Sequence, residues 1–141
     1  MKIYLIGSLR NKDIPSIAAT LREALPDDEF FDDWYAAGPE ADDFWKCYEQ
    51  ERNRTYAEAL DGYAANHVYH FDKAHLDDSD AAVLILPAGR SGHLELGYMA
   101  GRGKATFILL PQDNDRWDVM YRFADCVCVS VEELTNILGG L

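Results

Sequence analysis

The sequence predicts a single α/β domain, and three observations lead there. Ala81 to Leu86 and Ala105 to Leu110 are unbroken apolar runs of strand length, as expected of parallel strands covered on both faces. Segments of helical period separate these runs from each other and from a similar run at the start. The 141 residues are 48% hydrophobic and contain no repeat, low-complexity tract or linker, so one compact domain over residues 1–141 is expected.

Lys2 to Ile6 is short, apolar and β-rich, and it stops at Gly7-Ser8, which suits a buried strand feeding a tight turn. Ile14, Ile17, Ala18, Leu21 and Leu25 then recur at helical spacing. With Asp13 as N-cap and Pro15 in the first turn, they predict a helix over about Ile14 to Leu25. Glu29 to Trp34 reads as a brief strand, after which Ala36-Ala37-Gly38-Pro39-Glu40-Ala41 breaks the chain. Trp45, Tyr48, Tyr56, Leu60, Tyr63, Val68 and Phe71 keep helix-like spacing over one or two helices, ending near Leu76.

Past the Ala81–Leu86 strand, Pro87 to Gly92 reads as a loop and Leu94 to Arg102 as a helix closed by Gly103-Lys104. Cys126 to Val129 supplies a fifth strand, and Ser130-Val131-Glu132-Glu133 has the form of a capping box opening a last helix. This alternation implies right-handed crossovers and a doubly wound, mainly parallel sheet of about five strands, Rossmann/flavodoxin-like, with helices on both faces. A ligand of such a fold binds outside the carboxyl ends of the strands.

Charge and composition exclude several classes. Lys plus Arg number 13 against 25 Asp plus Glu, a net charge of −12, which leaves no basic stripe for a nucleic acid polymer. No apolar run approaches the roughly 20 residues of a membrane helix, and Met1 to Gly7 is too short for a secretory signal, so a soluble, cytoplasmic protein is expected. Three cysteines, two of them at Cys126 and Cys128, argue against both a disulfide scaffold and a Cys-x-x-Cys zinc site. His67, His70 and His75 lack the spacing of a catalytic metal site, and no metal is expected.

Polar chemistry concentrates in the loops that the fold would place at the carboxyl edge. Gly89, Arg90, Ser91, Gly92 and His93 lead into a helix, where free backbone N–H groups beside a guanidinium and a hydroxyl form a cradle for a phosphate or carboxylate. Gly7, Ser8 and Arg10 bring a second hydroxyl and guanidinium to the same edge. The glycines equally suit plain turns. Glu95, read as a first-turn residue, is expected to be held ionised by the helix dipole, either as a reactive carboxylate or simply as a complement to that dipole. Asp72, Asp77, Asp78 and Asp80 form an acidic cluster, one member of which could pair with Glu95 so that one acid stays ionised while the other donates. Trp34, Phe44, Trp45 and Tyr48 offer faces for a planar ligand or, for at least two of them, core packing.

Three segments together carry a family resemblance: Ile3-Tyr4-Leu5-Ile6-Gly7-Ser8-Leu9-Arg10, Asp72 eight residues before Asp80, and His93-Leu94-Glu95-Leu96-Gly97-Tyr98 followed by Gly103-Lys104. In these the chain resembles the nucleoside 2-deoxyribosyltransferase family, including its deoxynucleoside 5′-monophosphate N-glycosidase and cytidine-monophosphate hydrolase branches. The likeness covers residues 1–10 and 68–110; the segment between Trp34 and Tyr63 and the tail after Pro111 have no clear counterpart. It implies that Glu95 is a nucleophile at the anomeric carbon, that Asp72 assists the leaving base and that Tyr4 orients Glu95. It also implies chemistry without a cofactor, a small nucleoside or nucleotide as partner, and a homodimer or higher homo-oligomer. Gly7-Ser8-Leu9-Arg10 is closer to the monophosphate-hydrolysing branch, with Arg90 and Ser91 adding to the phosphate site, although the basic loop at Gly89–His93 is longer than either branch usually carries. A glycohydrolase of a nicotinamide dinucleotide and a catalytically silent nucleotide sensor are the alternative readings.

Overall fold

The computed structural model describes all 141 residues. Five parallel strands, β1 (Lys2–Ile6), β2 (Glu29–Phe31), β3 (Ala81–Ile85), β4 (Ala105–Leu109) and β5 (Cys126–Cys128), form one sheet in the order β2-β1-β3-β4-β5. The helices are α1 (Ile14–Ala24), α2 (Ala41–Glu51), α3 (Tyr56–Leu60), α4 (Tyr63–Asp78), α5 (Arg90–Gly101) and α6 (Val131–Gly139), with 3-10 turns at Asp33–Ala37 and Val119–Phe123. The doubly wound architecture matches the expectation from the sequence.

Strand alternation divides the core into two layers. Ile3 and Leu5 of β1, Val83 and Ile85 of β3 and Phe107 and Leu109 of β4 face Ile14, Ala18 and Leu21 of α1 and Leu134 and Leu138 of α6. Tyr4 and Ile6, Ala82 and Leu84, and Ile108 face the other way, against Leu76 of α4 and Leu96 and Met99 of α5. All five residues of β3 are fully buried, which explains why that strand reads as a continuous apolar run. β1 pairs with β3 from Ile3↔Ala81 to Ile6↔Leu84, and the chain leaves these two neighbours toward opposite faces. Their carboxyl ends therefore form the switch point of the sheet, the position at which folds of this kind bind their ligands.

Several boundaries depart from the sequence reading. The segment after Ala41 holds three helices rather than one or two: Asn53 takes a positive φ of 56° just past α2, and a Thr55/Glu58 capping box opens α3. The second strand stops at Phe31, because the next residues turn into the 3-10 segment that carries Trp34. Asp13 stands at the N-cap of α1 but its side chain makes no cap; Asn11 Oδ1 instead accepts the Asp13 N–H at 3.0 Å. The Ser130 cap forms as expected, with Ser130 Oγ accepting from the Glu133 N–H at 3.1 Å and Glu133 Oε2 from the Val129 N–H at 2.7 Å. No helix is long and apolar enough to cross a membrane.

Candidate active site

The largest correction concerns α5. It begins at Arg90, four residues earlier than the sequence suggested, with Gly89 as N-cap, so Arg90 to His93 form its first turn and Glu95 lies in the second. Gly92 is the reason. A Cβ at this position would stand 3.1 Å from Ile6 Cγ2 and 3.1 Å from Leu84 Cδ1, crowding both, so glycine lets the helix start this close above the ends of β1 and β3 without displacing them. A glycine that resembles a loop residue in the sequence is a packing residue here.

The early start puts the positive end of α5 over the switch point. The N–H groups of Arg90, Ser91 and Gly92 have no intrahelical acceptor, since the ladder begins with His93 N–H to Gly89 O at 3.4 Å. The Arg90 and Ser91 side chains are exposed beside them. The loop after β1 lies alongside: Gly7 follows Ile6 directly, and a Cβ on it would meet Ile14 Cδ1 at 2.6 Å and the Trp34 ring at 3.4 Å. Ser8 Oγ accepts from the Arg10 N–H at 3.1 Å. Arg10 itself reaches away toward the start of α2, donating to Pro39 O at 3.3 Å and Asp43 Oδ2 at 3.1 Å. The structure thus gathers Gly7, Ser8, Gly89, Arg90, Ser91 and Gly92 at one edge and leaves Arg10 engaged with the helical insert.

Below this edge, the helices on the α4/α5 face of the sheet carry the acids Asp72 and Glu95. Tyr4 is buried at 1% exposure, and burial, followed by the charges of Glu95 and Asp72, pushes its phenol far above the ordinary range. Its hydroxyl therefore remains a neutral donor. Burial, with Asp72 adding repulsion, pushes Glu95 up to about 8. Asp72 is raised too, by burial, while nearby His75 pulls it back down. The helix dipole does not govern Glu95 as its supposed first-turn position suggested, because the dipole fades beyond that turn and desolvation dominates. At neutral pH Glu95 therefore largely keeps its proton.

The rest of the site is aromatic. His75, one turn along α4 from Asp72, stacks on Phe31 at 3.9 Å, and Phe31 packs on Tyr4 at 5.1 Å. Trp34 Nε1 donates to Leu5 O at 2.7 Å while its ring joins both core layers, so it acts as a wall of the first loop. Trp45 packs edge-on to Tyr56, Tyr48 carries Arg52 over its ring at 3.5 Å, and Phe44 is exposed. His93 turns away from the acids. Its Nδ1 donates to Gly89 O at 2.7 Å, which leaves Nε2 to accept from Tyr121 Oη at 2.9 Å. Tyr121 had no signal in the sequence, because the partnership spans 28 residues and lies in the tail that matches no motif.

His67 and His70 lie on an open concavity of about 850 Å³ along α4, with Tyr63, Ala64, Asn66 and Phe71. None of Tyr4, Asp72 and Glu95 lines it. Asp77, Asp78 and Asp80 are structural: Asp77 joins α4 to α5, Asp78 pairs with Lys2 at 2.6 Å, and Asp80 Oδ2 accepts from the Lys2 N–H at 2.9 Å. Lys104 of the Gly-Lys motif caps α4, its Nζ donating to Leu76 O at 3.2 Å and to Asp77 O and Ser79 O at 2.5 Å each.

No family model matches the chain, and no curated protein matches it in sequence. Solved structures share its fold over nearly the whole length. A 2-deoxyribosyltransferase from the psychrotolerant bacterium Bacillus psychrosaccharolyticus aligns with a TM-score of 0.65 at 15% identity, covering 96% of this chain and 91% of that one. A conserved protein from Enterococcus faecalis aligns at 0.68 and 14% identity, covering 100% and 99%. A CMP N-glycosidase from Clostridium botulinum aligns at 0.56 and 11% identity, covering 99% of each chain.

Proposed function

We propose that the protein cleaves, or transfers at, the N-glycosidic bond of a (2′-deoxy)nucleoside or its 5′-monophosphate, through Glu95 as nucleophile and a covalent glycosyl-enzyme intermediate. One observation carries this reading: two acids on different helices, with Glu95 pushed up to about 8 by burial and by Asp72, lie on the face of the sheet that holds the buried Tyr4 phenol, below the N-terminus of α5. Two proteins of the same fold, the 2-deoxyribosyltransferase and the CMP N-glycosidase, bear names that denote such chemistry.

A proton held on Glu95 sets an order of events. As the C1′–N bond lengthens, its electron pair moves onto the base and positive charge grows at C1′. Glu95 releases its proton to Asp72, which passes it to the departing base nitrogen, and the freed Glu95 oxygen bonds to C1′. Tyr4 Oη steadies the Glu95 carboxylate once it is charged. Water or a second base then attacks C1′; the C1′–Glu95 bond breaks and the incoming group's proton returns to the pair. Protein groups alone carry these steps.

The N–H groups at Arg90–Gly92, with the Arg90 and Ser91 side chains, Gly7 and Ser8, suit a 5′-phosphate. Arg10 would join them by exchanging Asp43 for the ligand. In this reading the protein works as a homo-oligomer, a second copy covering the open groove along α4, which light scattering in solution checks.

The test is base release from a panel of nucleosides and 5′-monophosphates by the wild type, Glu95→Gln and Asp72→Asn. Loss of release in Glu95→Gln, and a sugar-mass adduct on Glu95 in quenched wild-type samples, are expected. Wild-type rates in Glu95→Gln would overturn the assignment.

A further inference from the structure

Asp72 on α4 and Glu95 on α5 are acids carried by two helices that pack on the same face of the sheet through Leu76, Leu96 and Met99, and ionisation of both opposes their approach. Further along the same two helices the charges are arranged to attract. Tyr98, one turn past Glu95, donates its hydroxyl to Asp77 Oδ1, a direct hydrogen bond between α4 and α5. Lys73 Nζ holds Asp77 Oδ2 at 2.8 Å, and Arg102 Nε stands 3.9 Å from Oδ1. Both cations also lie over the Tyr98 ring, 5.5 and 5.6 Å from its centroid. Lys104 fixes the end of α4 to the start of β4, so the tied helices have little freedom to slide.

We infer that the Tyr98–Asp77 contact is a clasp that holds Asp72 and Glu95 at a close separation which their own repulsion opposes, and that Tyr98 is a positioning residue for the acid pair. For its catalytic consequence this rests on the proposed role of Glu95 and Asp72; for its structural consequence it does not.

The titratable groups facing the pair are Tyr4 from β1 and His75 from α4, while β2 contributes only Phe31. Lys73 is turned to Asp77, whose carboxylate it holds well below its ordinary value together with Tyr98. Loss of the clasp leaves these surroundings in place and changes chiefly the spacing and hydration of the acids.

The experiment is a carboxyl ¹³C titration of Glu95 in the whole protein, with its resonance assigned by comparison with Glu95→Gln. In Tyr98→Phe, which keeps the ring and removes the hydroxyl, the Glu95 midpoint is expected to fall by about one unit or more, as water enters and the acids separate. Asp77→Ala, which removes the acceptor for Tyr98 together with the anchor of both cations, is expected to move it in the same direction, and it serves as the test should Tyr98→Phe not fold. A midpoint unchanged to within about 0.2 units in a folded variant overturns the clasp. In turnover, Tyr98→Phe is expected to lower kcat with KM preserved and to move the pH profile with the Glu95 midpoint; an unmoved profile counts against it. A wild type that releases no base refutes the proposed reaction, while the titration still decides the clasp.

Discussion

Replacing Glu95 by glutamine should stabilise the protein at neutral and alkaline pH, although it removes the proposed nucleophile. In the unfolded chain Glu95 titrates near its ordinary 4.5, and in the fold near 8. Between these values the native state retains a proton that the unfolded chain has already released. The contribution of this group is therefore complete below about pH 4.5, declines as pH rises, and is exhausted once pH has passed about 8. The slope is at most about 1.4 kcal/mol per pH unit, and over the whole interval the loss reaches about 3–5 kcal/mol, allowing for sharing of the proton with Asp72. That is a large part of the roughly 5–15 kcal/mol of a typical domain. Glutamine imitates the protonated acid and carries no such penalty. Urea unfolding of both proteins from pH 5 to 8.5 reads the effect. With a urea dependence of about 2 kcal/mol per molar, the wild-type midpoint should fall by roughly 1.5–2.5 M relative to the variant. The lowered carboxyls Glu58, Asp77 and Asp78 lose their contribution only as pH falls below their ordinary values, beneath the scanned range, and so leave the difference unaffected. Parallel curves across this range would refute the buried, proton-holding Glu95 and with it the proton transfer of the proposed mechanism.

Lys104→Ala strips the donors from three carbonyls at the end of α4 and should lower stability by about 1–3 kcal/mol, measured by urea unfolding. Gly92→Ala forces a methyl against Ile6 and Leu84, so a loss of about 1–3 kcal/mol is expected by the same assay, with base release falling as the start of α5 lifts from the sheet. Arg90→Gln should raise KM for 5′-monophosphates roughly 10- to 100-fold and leave free nucleosides untouched; equal effects on both substrate classes would remove the phosphate from the cradle.

The fold was legible because burial writes itself directly into composition. β3 is covered on both faces and β4 nearly so, and their runs therefore needed no alternation to be recognised. The helical insert was less legible. Its breaks depend on a single positive φ at Asn53 and on a cap at Thr55, both easily overlooked within a continuing apolar period, although Thr55-x-x-Glu58 was present to be read. The start of α5 was misplaced for a related reason: Gly89 and Gly92 resemble loop punctuation, whereas Gly92 is demanded by two side chains from strands far away in sequence.

The candidate site was legible in its residue types but not in their electrostatics. Spacing can nominate Tyr4, Asp72 and Glu95, but it cannot say that a phenol, an aspartate and a glutamate from three elements will share one poorly hydrated volume. That volume decides the proton's position. A dipole argument from the position of Glu95 along its helix gives an ionised carboxylate, whereas burial beside Asp72 gives a protonated one. The distinction bears on mechanism. A permanently ionised Glu95 would need only a sugar placed against it, whereas a protonated Glu95 must be disarmed of its proton as the base departs, so nucleophile and leaving-group acid become two states of one pair. Whatever fixes the separation of that pair thereby sets the pH at which both states are accessible, and the opposed charges of Asp77, Lys73 and Arg102 around Tyr98 are the feature of the fold placed to do so.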